Sequence, residues 1–257
     1  MEKTVRAEII TIGDELLIGQ VVDTNSAWMA QRLNETGISL YQITSVHDDK
    51  AHIIEALRSA MQHASIVLTT GGLGPTKDDI TKQVLCEFFN TRLVESPTVK
   101  QHVEQLYRDR PVVLNRLTAT QWMVPESATI LPNRIGSAPL MLWEQDRRIV
   151  ASMPGVPREM EVAMEEQILP YLGAWLKRQN IHTDIIHRTI TVQGIPESAL
   201  AILIEDWENA LPVGMHLAYL PKDGKIRLRL SSYGECTASD IEQQLALLIP
   251  QIQPYLC

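Results

Sequence analysis

The feature that most restricts this chain is the alternation of two hydrophobic periods over its first 90 residues. Ala7–Ile12 is a short apolar run with Ile9, Ile10 and Ile12, the pattern of a buried strand. Asp23, Thr24, Asn25 and Ser26 then offer N-caps to a helix whose Trp28, Met29, Arg32 and Leu33 recur at helical spacing, and Gly37 closes it. Leu40–Val46 reads as a second strand, and a helix from about Lys50 to His63 buries Ile53, Ile54, Leu57 and Met61. Ser65–Thr70 is a third strand. Beyond a glycine-rich loop, Ile80, Val84, Leu85 and Phe88 mark another amphipathic helix. Strand and helix alternating in this way demand a mostly parallel sheet flanked by helices, an α/β fold.

The pattern changes further on. Residues 97–124 read as helical, with a break near Arg110-Pro111. Three short strand candidates follow at Thr129–Leu131, Leu140–Glu144 and Arg147–Met153. A helix from about Arg158 to Leu172 is expected to stop at Pro170 or Gly173. From Trp175 to Thr183 the apolar periodicity fades, which places a domain boundary there and divides the chain into residues 1–174 and 183–257. The second part reads strand (Ile185–Val192), helix (Pro196–Asn209), strand (Met215–Leu220), strand (Lys225–Ser232), helix (Ala238–Ile252). In it Ile226, Leu228 and Leu230 alternate with Arg227 and Arg229, and Lys222-Asp223-Gly224 forms the hairpin turn. This is a small α+β unit of βαββα order.

Composition narrows the function classes. A hydrophobic fraction of 45% against 21% charged excludes wholesale disorder. Cys86, Cys236 and Cys257 are widely spaced and odd in number, so neither a disulfide framework nor a zinc ribbon is suggested. The N-terminus lacks the apolar region of a signal peptide, and no apolar stretch approaches the roughly 18 residues of a membrane span. A cytoplasmic protein without a membrane partner is expected. The net charge is −8, divided at residue 182 into 18 basic against 22 acidic residues and 5 against 9, so each part carries −4. That balance argues against a nucleic-acid partner. It also argues against reading the βαββα unit as an RNA-binding KH-like domain, since no GxxG loop occurs there.

Four unusual segments follow strands: Gly13-Asp14-Glu15, His47-Asp48-Asp49, Thr70 to Asp79 (TGGLGPTKDD), and Met153 to Glu159 (MPGVPRE). In an open parallel sheet the carboxyl ends of the strands share one edge, where ligands bind. Loops scattered in sequence therefore converge in space. The glycine loop lets backbone approach a ligand closely and leads into a helix with free N–H groups. It is neither a Walker A motif nor a Rossmann fingerprint. A plain tight turn is the competing reading of the loop, and Asp78 and Asp79 can equally be the N-cap and first-turn acids of the next helix. His47 and His52 do not have the spacing of a zinc-binding HExxH pair.

These residues carry a resemblance. Gly13 to Leu17 (GDELL) with Asp23 to Ser26 (DTNS), then Thr70 to Thr76 (TGGLGPT) with Asp78 to Thr81 (DDIT), resemble the N-terminal domain of the CinA family. Asn133 to Pro139 (NRIGSAP) and Pro154 to Met160 (PGVPREM) extend the likeness over about residues 5–172, and the βαββα unit resembles the small domain that follows in CinA proteins. The resemblance implies a molybdenum-cofactor-biosynthesis-like fold, shared with MogA and MoaB, and a homodimer. It further implies metal-dependent ADP-ribose pyrophosphatase activity, a hydrolase acting on a nucleotide. On that basis Asp48, Asp79 and Asp78 are the catalytic candidates, with Asp48 and Asp79 as ligands of a divalent ion (Mg, Mn or Co). Gly13, Asp14, Glu15, Thr70, Gly71, Gly72, Gly74, Pro75, Thr76, Gly136, Ser137, Pro154 and Gly155 are the substrate-binding candidates.

Leu140 after Ala138-Pro139, and His47 before Asp48, depart from the glycines many members carry there. The C-terminal amidase domain of bacterial CinA is expected to be missing. Charge then explains why a metal is needed: a pyrophosphate facing Asp14, Glu15, Asp48, Asp78 and Asp79 requires a cation between them. Two other readings remain open on this fold. One is a molybdopterin-binding or adenylyl-transfer protein, the other a non-catalytic nucleotide-binding module.

Overall fold

The structure, a computed structural model, describes residues 5–108, 115–181, 185–233 and 236–257. The chain divides into two compact units, Val5–Ile181 and His182–Cys257. In the first, strands β1 (Arg6–Ile12), β2 (Ser39–Val46) and β3 (Ile66–Thr70) alternate with helices α2 (Thr24–Glu35) and α3 (Lys50–His63), and a short turn of helix, α1 (Asp14–Leu17), follows β1. Asp23 caps α2 by accepting from Ser26 N at 2.9 Å, and Asp49 caps α3 through His52 N at 3.0 Å. Helix α4 (Thr81–Phe88) leads to a small antiparallel pair, β4 (Leu93–Glu95) and β5 (Met123–Pro125), with α5 (Pro97–Arg108) between them in sequence. Strands β6 (Thr129–Leu131), β7 (Leu140–Gln145) and β8 (Arg148–Met153) complete the main sheet, and α6 (Pro157–Ala163) and α7 (Leu169–Arg178) close the unit.

The main sheet runs β2-β1-β3-β8-β7-β6. Its first four strands are parallel, and β7 and β6 are antiparallel additions. Both faces are covered. Ile9, Leu68 and Ala151 pack against Met29, Leu33, Met160, Leu172 and Trp175 on one side. Ile10, Val67 and Val150 pack against Ile53, Leu57, Val84 and Leu85 on the other. Successive strand residues point to opposite faces, so a strand buried on both must be apolar throughout, which is why Ile9 and Ile10 are adjacent. Each such side chain contributes about 1.5–3 kcal/mol on burial.

Two sequence expectations are corrected. The segment 97–124 is not one helix: α5 ends at Arg108, a 3-10 turn spans Thr118–Trp122, and Met123–Pro125 turns back to pair with Leu93–Glu95. Periodicity is blind to a partner some 30 residues away. The expected break at Arg110-Pro111 lies outside the described residues. Pro170 does not end the helix either. Lacking an N–H, it cannot bond the preceding turn, and the chain widens into a π-helical turn over Met164–Ile168 before continuing through α7 to Arg178. Trp175 and Leu176 are thereby buried in the first unit.

The second unit is a three-stranded antiparallel sheet of order β10-β11-β9, made of β9 (Ile185–Gln193), β10 (Met215–Lys222) and β11 (Lys225–Tyr233). Helices α8 (Glu197–Leu203), α9 (Glu205–Asn209) and α10 (Ala238–Ile252) contribute to its core, which gathers Val192, Leu200, Trp207, Leu228, Leu230, Ile241 and Leu248. A capping box between Thr237 and Asp240 starts α10. Among the described residues no helix is long and apolar enough to cross a membrane.

Candidate functional site

The carboxyl ends of β1, β2, β3 and β8 bring the four loops to one edge. Strand β7 runs antiparallel to β8, so the segment entering it, Asn133 to Pro139, reaches the same edge from the other direction.

The loops are tied together by backbone and buried side chains. Gly13 N donates to Val46 O at 3.1 Å, and Gly71 N donates to Met153 O at 3.2 Å. Thr70 Oγ1 donates to Pro154 O at 2.7 Å, so the hydroxyl joins β3 to the β8 loop. Asn25 Nδ2 reaches Gly155 O at 2.8 Å and Thr70 Oγ1 at 3.3 Å. Its Oδ1 is buried without a hydrogen-bond partner. Sequence reasoning treated Asn25 as one of several cap candidates and missed this bridge. Asp23 is the cap, and that frees Asn25 for the junction.

Glycine is required at Gly71. Its φ is +111°, and a Cβ there would run into the carbonyl of Ile12. Gly72 (φ +63°) lies under Asp48: a Cβ at that position would stand 3.2 Å from Asp48 Oδ1. A Cβ on Gly155 would meet Gly71 Cα at 3.2 Å, so the two loops are packed backbone to backbone. Thr81 holds the far end of the glycine loop, its Oγ1 donating to Gly71 O and its N to Gly72 O, each at 3.2 Å.

The carboxylates divide by role. Asp48 and Asp14 are locked reciprocally: Asp14 N donates to Asp48 Oδ2 at 3.1 Å and Asp48 N to Asp14 Oδ1 at 3.3 Å. His47 Nδ1 lies 2.8 Å from Asp14 Oδ1. Burial raises the pKa of Asp48 above the ordinary value, the hydrogen bond from Asp14 N opposes this, and the charges of Asp14, Glu15 and Asp79 add to the rise. Four carboxylates therefore feel one another here. Asp79 faces inward on the loop. Its Oδ1 accepts from Gly74 N at 2.7 Å, and its Oδ2 accepts from Thr76 N at 2.9 Å and Thr76 Oγ1 at 2.5 Å. Asp78 is exposed, with its carboxyl held low by the Thr76 hydroxyl. Among the described residues no group of three or more His, Cys, Asp or Glu is arranged to hold a metal ion. The expected pair Asp48 and Asp79 is thus not a closed metal cage, and Asp79 braces the loop.

The remaining candidates sit on a separate bracket. Asn133 Oδ1 accepts from Gly136 N at 3.1 Å, while its Nδ2 donates to Ala138 O at 2.9 Å and to Glu159 Oε2 at 2.8 Å. This ties the Gly136-Ser137 segment to the start of α6. A Cβ on Gly136 would collide with the Glu159 carboxylate. Lys82 was also missed. It is 3% exposed, its Nζ donates to Thr120 O at 2.6 Å, and burial lowers its pKa from 10.5 to about 8 against the pull of Asp79. No sequence signal separates a lysine one turn into an amphipathic helix from a solvated one. A broad surface hollow lined by Asp49, Lys50, Ile54, Arg58 and Glu87 lies along α3, with no glycine-loop residue in its wall.

Comparison with known proteins settles the family. Residues 8–174 match the model of the probable molybdopterin binding domain, and residues 187–256 match that of the damage-inducible protein CinA KH domain. The chain belongs to the CinA-like family. A CinA-like protein of Flavobacterium psychrophilum is 41% identical over 96% of this chain and 58% of its own length. One of Cytophaga hutchinsonii is 43% identical over 100% and 61%. The chain thus spans about three-fifths of these curated relatives. Among solved structures, the protein CinA of unknown function from Thermoplasma acidophilum superposes with a TM-score of 0.61 at 28% identity, covering 65% of this chain and 99% of that one. The tungsten cofactor synthesizing protein MoaB from Pyrococcus furiosus is more distant, with a TM-score of 0.44, 20% identity and coverage of 68% and 98%.

The likeness of the second unit to the small domain that follows in CinA proteins is borne out by the CinA KH match. Its charge and the missing GxxG loop bear on RNA binding, which that match does not test.

Proposed function

We propose that the chain is a divalent-metal-dependent hydrolase that cleaves the pyrophosphate of ADP-ribose or a related nucleotide to AMP and ribose 5-phosphate. One observation carries this reading: Asp48, crowded by Asp14, Glu15 and Asp79, lies against Gly72 of the glycine loop. Crowded carboxylates beside a glycine loop favour a cation between them. The donor set fits Mg, Mn or Co, because such ions are commonly held by one or two carboxylates plus the phosphate oxygens of the substrate. Asp48 is the main ligand candidate, with a contribution from the free lone pairs of Asp79. When bound, the ion would withdraw charge from the phosphorus centre and acidify water.

The chain's own groups would do the rest. The glycine loop, whose Gly71, Gly72 and Gly74 carry no side chains, would let the pyrophosphate approach closely beside Pro75 and Thr76, and Thr70 and Gly13 would keep the neighbouring strand ends in register. Asp48, as a ligand of that ion, would help to place the attacking water beside the phosphorus centre. Asn25, donating to Gly155 O, would hold the β8 loop with Pro154 and Gly155 in place beside the glycine loop. Gly136 and Ser137 would form the outer wall.

The test is product analysis with ADP-ribose and each divalent ion. AMP and ribose 5-phosphate should appear, EDTA should abolish them, and Asp48→Asn should cut them about a hundredfold or more. The family model's own description supports a second reading, molybdopterin binding without hydrolysis. Tight pterin binding with no turnover of ADP-ribose in any ion would replace the first reading by the second.

A further inference from the structure

The second unit segregates its charge in a way that its net value of −4 conceals. Strand residues alternate between two faces. On the helix-covered face lie Ile190, Val192, Leu217, Tyr219, Ile226, Leu228 and Leu230. The opposite face therefore carries His187, Thr189, Thr191 and Gln193 of β9, Lys225, Arg227, Arg229 and Ser231 of β11, and His216, Ala218, Leu220 and Lys222 of β10; Ser231 on it is buried and hydrogen-bonded to the ring of His187 at 2.7 Å. Cross-strand register confirms the rows: Thr191, Arg227 and Leu220 lie side by side, as do Thr189, Arg229 and Ala218, and Lys222 stands opposite Lys225. Four of the unit's five Lys and Arg residues are on this face. The fifth, Arg188, is on the other face and pairs with Glu242 of α10 at 2.8 Å. Of the unit's nine acids, Glu197, Glu205, Asp206, Glu208, Asp240 and Glu242 sit on helices, and Asp223 stands exposed in the turn between Lys222 and Lys225.

Among the described residues none of Lys222, Lys225, Arg227 and Arg229 stands in an ion pair. Lys222, Lys225 and Arg227 are exposed, and Arg229 is half-buried with its Nε buried and unpartnered. Lys225, Arg227 and Arg229 form a file along the central strand, each about 6.7 Å from the next at twice the strand rise. An extended polypeptide with acids at alternate positions presents carboxylates at the same interval. The hydroxyls of Thr189 and Thr191 flank the file.

We propose that the file of Lys225, Arg227 and Arg229 on this sheet face docks an extended acidic polypeptide segment whose carboxylates occur at every second residue. One observation favours a short peptide over a nucleic acid. The acidic helices of the same unit repel a long polyanion that continues past the face, whereas a short segment is confined to it.

The experiment uses the full chain and a labelled short peptide alternating Glu and Thr. Binding is expected at low salt and should fade between about 50 and about 200 mM. The double variant Arg227→Glu, Arg229→Glu should weaken it at least about tenfold. Lys225→Glu, Arg227→Glu, which changes only exposed side chains, should do the same and guards against misfolding of the first variant. A peptide of identical composition with its glutamates in one block should bind more weakly. The proposal is overturned if the alternating peptide does not bind, if either charge-reversed variant binds it as the parent does, or if the blocked peptide binds equally. Tighter binding of a single-stranded oligonucleotide of equal charge would also overturn it and assign the face to nucleic acid.

Discussion

The two units carry the same net charge, −4 each, and use it in opposite ways. In the first, carboxylates converge: Asp14, Glu15, Asp48 and Asp79 crowd one edge of a parallel sheet beside backbone that only glycine permits. In the second, most acids sit on the helices, and Lys225, Arg227 and Arg229 stand in a file along the central strand. A parallel sheet must have both faces covered, so its chemistry is forced to the strand ends. An antiparallel sheet can leave one face open, so its chemistry can spread along strands. Net charge is silent on both arrangements. Topology decides where charge acts.

That contrast can be broken most severely at Gly71. Gly71→Ala forces a Cβ into the Ile12 carbonyl at a φ of +111° and should cost the first unit about 2–4 kcal/mol, read as a lower thermal midpoint together with loss of hydrolysis. The second unit should still bind the acidic peptide where the first remains folded. Asp48→Asn comes next. It should cut turnover about a hundredfold or more while leaving stability equal or slightly higher, since it removes a charge that its neighbours oppose. A large loss of stability would mean that Asp48 is a structural group and that the crowding has another purpose.

The pH dependence of stability sharpens the comparison at Lys82, whose pKa is about 8 folded against 10.5 free. Below about pH 8 both folded and unfolded chains bind the proton, and the buried charge destabilises in full. Between about 8 and 10.5 only the unfolded chain binds it, so stability should rise with pH across that window. Denaturant midpoints should show the rise, and Lys82→Met should remove it. The smallest effect is expected from Lys225→Glu, Arg227→Glu: on an open face, away from packed core, it should change thermal stability by no more than about 0.5 kcal/mol. A large loss would mean that the face is part of a packed interior.

Much of the first unit was legible because its signals are local. The adjacent Ile9 and Ile10, the caps around Asp23 and Asp49, and the glycine run after β3 each report on a few neighbouring residues. The convergence of Gly13, Asp48, Gly71 and Gly155 followed from the rule that parallel strands share an edge. Pairings that span long stretches of chain were not legible. The β4–β5 pair joins residues 93–95 to 123–125. Asn25 reaches Gly155 across 130 residues, and Lys82 meets Thr120 across 38. Pro170 misled for a different reason: a π-helical turn absorbs the missing donor, and the burial of Trp175 rewards continuing.

What the sequence determined by itself is the strand and helix alternation of the first 90 residues, the family and the edge at which the four loops meet, because hydrophobic period and glycine placement act through nearest neighbours. What only the tertiary structure decided is how each charge is used. Asp79 braces a loop, Asp48 is crowded, Lys82 is buried, and Arg227 stands in an open file. Each of those states is set by desolvation and by partners that arrive from elsewhere in the chain, and neither quantity is a property of a residue's position in the sequence.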